Sequence, residues 1–479
     1  MRTYQLRPQQ RGAIDGISPG IQLWLAQTGF GKSVVAWEAS KGKRAIILTH
    51  TIGLQQQYQR EFGPDVFIYM GRAHTHCGLG TGAGLGTWCL LSQCPIMHCY
   101  PSYHEASGKS LEDAGCDIVK LRQTAAASRV VVTNYHAYHY SKDHLGERDI
   151  LWADEAQHMP VAELNSIAIP RDAIPSSLMG RISKLQRTRS ITKSAVEELG
   201  EMLERHKVAI ADKILDDEKG EEFFAASHLW DTMYLNKSFE LRPTYLDCRP
   251  IRLGSTGVKL FLNDVPTTVA MSGTLISGGQ IGARDYEVTK FPPLLPSPEI
   301  VAWKKRAKNQ AERFDRVMEA VDMHEGERGV VFFTSRKEAN EFYYSHTQHN
   351  RRWILQQSPG ARREVLELGE RRDGVLLTYG GHEGLDLPDD AGRFGVLAKM
   401  PFLNIGDVHV KSNFEMRGWA WYNAECGLKI RQAAGRIIRH ANDYGVFYLA
   451  DQGSSRFPHE KVWANGVFGV LTPQKWDRI

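Results

Sequence analysis

Lys32 and Ser33 close a glycine-bearing turn, Ala26-Gln27-Thr28-Gly29-Phe30-Gly31-Lys32-Ser33, whose residue types suit it to chemistry on phosphate. The turn follows an apolar run, Ile21 to Leu25, that reads as a buried strand. It leads into Val34-Val35-Ala36-Trp37-Glu38, which reads as a helix. A turn of this kind leaves backbone N–H groups unpaired at the helix start, which makes it a cradle for an anion. Thr28, Gly29, Gly31, Lys32 and Ser33 would line that cradle. The Lys32 ammonium would reach the β- and γ-phosphates of a nucleotide, and the Ser33 hydroxyl would bind Mg²⁺. The usual GxxxxGK[ST] pattern has Ala26 where its first glycine belongs, so alone the stretch reads equally well as an ordinary turn.

A second acidic and a third basic element complete such chemistry. Ile150-Leu151-Trp152-Ala153 reads as a buried strand and runs straight into Asp154-Glu155-Ala156-Gln157. An Asp-Glu pair is most often solvated surface, but one at the end of a buried strand is held in place. There Asp154 can hold Mg²⁺ through its water shell, and Glu155 can orient and deprotonate an attacking water. Phosphoryl transfer rests mainly on positioned metal, water and positive charge. The positive charge is offered by Arg431-Gln432-Ala433-Ala434-Gly435-Arg436-Ile437-Ile438-Arg439. On a helix Gln432, Gly435, Arg436 and Arg439 share one face, and guanidinium groups there can neutralise charge on a γ-phosphate. The plain alternative is a solvated or salt-bridged face.

The elements that must position these residues alternate strand and helix. Ala45 to His50 and Arg129 to Asn134 are further core strands with polar C-terminal ends, which describes a doubly wound α/β domain with its site along that edge. A second α/β set follows the Pro-rich stretch from Phe291 to Pro298, with strands at Gly329 to Phe333 and Gly374 to Thr378. At 479 residues the chain is too long for one core. A composition of 42% hydrophobic and 24% charged residues is that of a globular protein. No run of about 18 apolar residues is present to span a membrane, and Met1 to Pro8 lacks the apolar core of an export signal. The expectation is a cytoplasmic protein without membrane partners. Net charge is only +4, so any affinity for nucleic acid must come from local basic surface.

Of seven cysteines, Cys77, Cys89, Cys94, Cys99 and Cys116 lie close together, while Cys248 and Cys426 are isolated and read as buried small apolar residues. Without an export signal, a disulfide framework is disfavoured against a metal or cluster site. Four thiolates at Cys77, Cys89, Cys94 and Cys99 can converge, with Cys116 as a spare. Zinc fits, since His74, His76, His98 and His104 are near. A [4Fe–4S] cluster fits equally.

The order of these segments resembles a superfamily 2 helicase, and within it the iron–sulfur XPD/DinG-like branch. The likeness is carried by Arg7-Pro8-Gln9-Gln10, by Gln27 to Ser33, Thr133-Asn134-Tyr135, Asp154 to Gln157 and Met271 to Leu275. In the second half it is carried by Thr334-Ser335-Arg336, Glu383 to Pro388 and Gln432 to Arg439. It covers nearly the whole chain apart from about 80 residues after the acidic pair. Gln157 departs from it, since this branch usually has His there, which would alter the coupling of hydrolysis to strand movement. Ala26 also departs, with little consequence.

The resemblance implies two RecA-like motor domains. The first would comprise residues 1–71, 118–160 and 240–292, and the second residues 299–479. An iron–sulfur insertion would occupy 72–117 and a small helical arch 161–239. It implies ATP bound between the motor domains, with Gln10, Gly384 and Asp386 joining the phosphate turn as nucleotide contacts. By position it favours the cluster over zinc at Cys77, Cys89, Cys94 and Cys99. It further implies 5′→3′ movement on single-stranded or forked DNA. RNA or R-loops are not excluded. A monomer is expected, as is a role in DNA repair. The basic run Arg181, Lys184, Arg187 and Arg189 would line the arch, and Tyr100, Tyr103, Tyr135 and Tyr138 are candidate base-stacking platforms; each reads as readily as a solvated face or core. The alternatives are an ATPase that remodels R-loops or protein–DNA complexes without processive unwinding, a non-catalytic binding module, and a nuclease, for which the 25 residues before the turn leave no upstream domain.

Overall fold

A computed structural model of the chain describes residues 4–26, 29–70, 117–164, 166–188, 191–215, 237–251, 253, 256–273, 278–292, 298–303, 305–347, 352–357, 361–379, 385, 387, 389–438 and 442–453. Thr28, Gly384, Asp386, Arg439, Tyr100, Tyr103 and the cysteines 77, 89, 94, 99 and 116 lie outside them. The chain forms two compact units, Met1–Leu164 with Leu253–Pro292, and Asn165–Arg252 with Pro293–Ile479.

In chain order the first unit begins with α1 (Pro8–Asp15), β1 (Gly20–Leu25), α2 (Lys32–Ala39), β2 (Ala45–Thr49) and α3 (Ile52–Phe62). It continues with β3 (Val66–Tyr69), α4 (Asp117–Ala127), β4 (Val130–Asn134), α5 (Tyr135–His139) and β5 (Ile150–Ala153). The chain then enters the second unit through β6 (Ile167–Pro170), α6 (Ser176–Thr188), α7 (Lys193–Leu215), β7 (Lys237–Leu241) and β8 (Tyr245–Pro250). It returns to the first with β9 (Thr267–Ser272) and β10 (Tyr286–Lys290). The rest of the second unit follows as β11 (Glu299–Trp303), α8 (Gln310–Asp322), β12 (Gly329–Phe333), α9 (Arg336–Ser345), β13 (Trp353–Leu355) and α10 (Arg362–Glu370). After these come β14 (Val375–Tyr379), β15 (Phe394–Leu397), α11 (Val408–Ala434) and β16 (Val446–Gly453).

Among the described residues the first unit holds one parallel sheet in the order β10-β1-β9-β5-β2-β4-β3. Its central strands β2 and β5 are buried along their whole length, because helices cover both faces of such a sheet. Parallel pairing brings the C-terminal ends of β1, β9, β5, β2 and β4 to one edge. Leu25 pairs with Ser272, Ala270 with Ala153, and Ala153 with Leu48. The polar residues that follow these strands are thereby gathered, which is where open α/β sheets bind ligands.

The second unit repeats the pattern with a parallel sheet in the order β11-β16-β15-β12-β14-β13. Beside it sits an antiparallel sheet, β6-β8-β7, on which α6 and α7 pack through Leu178, Ile182, Leu199, Leu203, Phe239 and Leu246. The division expected at 239/240 falls inside β7, so the segment that returns to the first unit starts later, at Leu253. Cys248 and Cys426 are buried as expected, and burial pushes both thiols up, Cys426 to about 12.

Two local expectations are corrected. The helix over Gln432 stops at Ala434 with Gly435 as its C-cap in right-handed backbone (φ −68°, ψ −2°), so Arg436 lies just past the end of the helix and not on it. The Arg436 N–H closes a tighter turn on the Ala433 carbonyl at 3.1 Å, and its Nη1 donates to the Leu385 carbonyl at 3.3 Å. Tyr135 and Tyr138 are core residues, not exposed stacking platforms. They are 1% and 3% exposed and pack on Phe261.

Candidate functional site

The phosphate turn is built by two left-handed glycines, Gly29 (φ 83°) and Gly31 (φ 80°), the latter the N-cap of α2. A Cβ at Gly31 would stand 2.6 Å from Gln10 Nε2, so the position excludes a side chain on space as well as on backbone angle. Gln10 pins the turn. Its Nε2 donates to the Phe30 carbonyl at 2.7 Å, and its Oε1 accepts from the Arg7 N–H at 2.8 Å. Arg7 Nη1 donates to the Gly29 carbonyl at 3.1 Å. The Arg7-Pro8-Gln9-Gln10 segment thus fixes the back of the turn, with Pro8 opening α1.

Lys32, 9% exposed, donates to the Ala26 carbonyl at 3.3 Å and lies 3.4 Å from Glu155 Oε1. Ser33 follows it in the first turn of α2. Asp154 and Glu155 leave the end of β5. The Asp154 N–H donates to the Leu48 carbonyl at 2.9 Å, which ties the acidic pair to β2. The Asp154 carboxylate accepts from the Glu155 N–H at 3.0 Å on Oδ1 and from the Tyr58 hydroxyl at 3.0 Å on Oδ2. Tyr135 donates to the Asp154 carbonyl at 2.7 Å. Burial first, and then the charge of Glu155, push Asp154 up to about 6; Lys32 and the two hydrogen bonds pull the other way.

Glu155 takes a left-handed backbone (φ 50°, ψ 51°), a conformation that costs a non-glycine residue about 1 kcal/mol or more. Its side chain is held from two sides, Oε1 near Lys32 and Oε2 accepting from Gln157 Nε2 at 2.5 Å. Gln157 Oε1 accepts from the Ser272 hydroxyl at 2.5 Å. An amide carries a donor and an acceptor on one group, so Gln157 joins the end of β9 to the acidic pair. Lys32, Glu155, Gln157 and Ser272 form one connected chain across the sheet edge. In the sequence Gln157 stands out only as a departure from the XPD/DinG-like pattern, and nothing local marks Ser272 as its partner.

The donors suit a magnesium-bound nucleotide. Asp154 is a buried carboxylate, each oxygen of which accepts one hydrogen bond and keeps further lone-pair capacity. Asp154 and Ser33 would hold the ion, and Lys32 the phosphates. Such an ion, when bound, neutralises phosphate charge.

The raised carboxyl carries a stability consequence. The folded protein binds the Asp154 proton more tightly than the unfolded chain does, so stability from this group falls as pH rises from about 4 to about 6. Asp154→Asn removes the ionisation. Its nucleotide-free form is expected to unfold at higher temperature than wild type above pH 6, by up to about 3 kcal/mol, with the difference closing below pH 4. Calorimetric melts across that range test this; an equal difference at all pH values would refute it.

In the second unit Glu240, Asp247 and His409 place one donor atom each within 4.8 Å of one another. Arg242 is 2.7 Å from the Glu240 carboxylate and Arg249 is 2.8 Å from that of Asp247. His409 Nε2 lies 3.3 Å from both carboxylates, and its Nδ1 is 2.6 Å from the Ser238 hydroxyl. Against the upward push of burial, hydrogen bonds from His409 and Arg249 keep Asp247 below its ordinary range. With two arginines on the carboxylates, the group reads as an ionic lock between β7, β8 and the first turn of α11. In the expected arch, Arg181 pairs with Glu198, so part of the basic run is spent within the segment. The Arg187 side chain and Arg189 lie outside the described residues.

A phosphate turn at one end of a parallel sheet, an acidic pair two strands away and a second parallel sheet define a two-domain fold of the P-loop type. A family profile described as helicase C-terminal domain matches residues 317–465. Curated relatives include the regulator of telomere elongation helicase 1 homologs of Drosophila persimilis, 34% identical over 103 residues, and of Drosophila melanogaster, 32% over 102. Each match covers 18% of this chain and 10% of the relative, so the chain aligns with about a tenth of the length of those proteins. Among solved structures, an XPD helicase aligns over 93% of this chain and 96% of its own, with a TM-score of 0.56 and 13% identity. XPD4 of S. tokodaii aligns over 93% and 95%, with a TM-score of 0.52 and 15% identity. Residues 317–465 thus resemble the helicase C-terminal domain, and the chain has the two-domain fold of XPD. Among the described residues no helix is long and apolar enough to cross a membrane.

Proposed function

We propose that this protein is an ATP-dependent DNA helicase that translocates on single-stranded DNA in the 5′→3′ direction. The observation that supports the ATPase part of the reading is the chain Lys32–Glu155–Gln157–Ser272 beside the buried Asp154, while the strand and its polarity rest on the likeness to the XPD/DinG-like branch. Lys32 rests beside Glu155, so an arriving γ-phosphate would exchange for Glu155 as its counter-charge. That exchange frees the carboxylate to take a proton from the attacking water. Gln157 holds the second oxygen of the base and so fixes its plane. Gln432, Arg436 and Arg439 remain the proposed partners of the γ-phosphate, and Gly384 and Asp386 proposed nucleotide contacts. ATP hydrolysis and strand displacement on 5′-tailed, 3′-tailed and RNA-containing duplexes test the proposal. Stimulation of hydrolysis by single strands with no displacement of any duplex would replace it with a remodelling ATPase.

Cys77, Cys89, Cys94 and Cys99 are proposed to hold an iron–sulfur cluster in residues 72–117, in support of strand separation, with the arch at 161–239. Thiolate-bound iron absorbs broadly in the visible, whereas d¹⁰ zinc does not. Protein purified without oxygen is expected to be brown, with iron and acid-labile sulfide in equal amounts. Cys89→Ser, Cys94→Ser or Cys99→Ser should each bleach it, and Cys116→Ser should not. Unwinding should fail in the bleached variants before ATP hydrolysis does. Colourless protein with stoichiometric zinc would overturn the cluster and leave the motor proposal standing.

A further inference from the structure

Tyr58 belongs to none of the motifs that brought the site to notice, yet it makes the one side-chain hydrogen bond described for the Asp154 carboxylate. It lies midway along α3, which Thr51 starts by accepting the Leu54 N–H on its side chain. Its ring is 2% exposed, and its hydroxyl points across the unit to Asp154 Oδ2 at 3.0 Å. The ring is fixed as well as buried. It packs on Phe62 at 5.6 Å, and Phe62 stacks at 4.9 Å on Trp37 of α2, the helix that follows the phosphate turn. The hydroxyl is thus anchored to the same helix that carries Lys32 and Ser33.

A buried carboxylate at a strand end has freedom about χ2 unless both oxygens are engaged. The Glu155 N–H holds Oδ1 through the backbone, and Tyr58 holds Oδ2. A phenol gives one hydrogen and takes one lone pair, which leaves acceptor capacity on each carboxylate oxygen.

We infer that Tyr58 is a positioning residue for the metal-holding carboxylate, fixing Asp154 in the orientation that receives the hydrated magnesium of a bound nucleotide. The inference rests on the reading of the first unit as a magnesium–nucleotide site. Tyr58 touches neither phosphate nor water in this role. It acts through Asp154, and it couples that side chain to the aromatic packing of α2 and α3.

The test is Tyr58→Phe in the full chain, which removes one oxygen and keeps the ring. Binding of a fluorescent, non-hydrolysable ATP analogue is measured across a Mg²⁺ titration and separately in EDTA. The Mg²⁺ concentration for half-maximal binding should rise by about tenfold, as for loss of a hydrogen bond to a charged group. Affinity in EDTA should stay within about twofold, because the phosphate turn and Gln10 are untouched. Unchanged Mg²⁺ dependence would overturn the inference. Equal weakening with and without Mg²⁺ would also overturn it, since that pattern marks a packing role. If wild type shows no Mg²⁺-dependent binding at all, the nucleotide reading itself falls, and the inference with it. Should Tyr58→Phe fail to fold, 3-fluorotyrosine at position 58 keeps ring and hydroxyl while strengthening the donor. It must then move the Mg²⁺ midpoint without moving EDTA affinity, and no movement overturns the role.

Discussion

Lys32→Ala is expected to lower ATP hydrolysis by at least about a thousandfold, the scale for loss of a preorganised charge where negative charge develops. Lys32 is buried at the start of α2, held by the Ala26 carbonyl and 3.4 Å from Glu155. Its removal takes away the cation that meets the phosphates and also the counter-charge that keeps Glu155 in place. Two costs therefore fall on one reaction. The fold should tolerate the change. Glu155 is 32% exposed and regains water, so the stability lost is expected to stay near that of a weak ion pair, about 1 kcal/mol or less. Single-strand binding should survive within a few-fold. Hydrolysis rates with and without single-stranded DNA, a thermal melt and a strand-binding titration separate these outcomes. Normal turnover in this variant would remove the phosphate turn from the mechanism.

Much of this site is legible in the sequence because it sits at the ends of apolar runs. Ile21 to Leu25 and Ile150 to Ala153 are each bounded by a polar or glycine-bearing stretch, and each becomes a strand within a residue of that range. The turn and the acidic pair follow directly from those boundaries. What the sequence does not disclose is long-range. Tyr58 lies 96 residues from Asp154 and sits in a Gln-rich helix whose periodicity indicates only that one face is covered. The Gln157–Ser272 link spans 115 residues and depends on β9 lying between β1 and β5, an order that local patterning does not fix. The end of α11 is equally hidden. The stripe Gln432, Gly435, Arg436 and Arg439 crosses the point at which α11 ends, and Gly435 there keeps a right-handed backbone, so residue spacing alone does not mark the stop. The tyrosines were ambiguous for a different reason. Tyr135 and Tyr138 follow Asn134, whose side chain caps α5 by accepting the Ala137 N–H, and that turn folds both rings into the core.

Glu155→Gln should separate binding from chemistry. The variant keeps an oxygen to accept from Gln157 Nε2, so the link onward to Ser272 is retained. It loses the group that takes the proton, and hydrolysis is expected to fall by about a hundred- to ten-thousandfold. It also loses a negative charge beside Asp154, the second largest influence holding that carboxyl up, so Asp154 should ionise at lower pH and bind magnesium no worse than in wild type. ATP affinity should therefore be preserved or improved while turnover stops. If closure on the strand requires bound ATP and release requires hydrolysis, the variant should dissociate from single-stranded DNA far more slowly with ATP than without. Stopped-flow dissociation of a labelled oligonucleotide, with and without ATP, measures this against the same nucleotide-binding titration. Two results would count against Glu155 as the base: turnover within tenfold of wild type, or loss of ATP binding together with turnover. The first would mean that another group takes the proton. The second would mean that the left-handed turn at Glu155 serves the shape of the phosphate site and not the reaction.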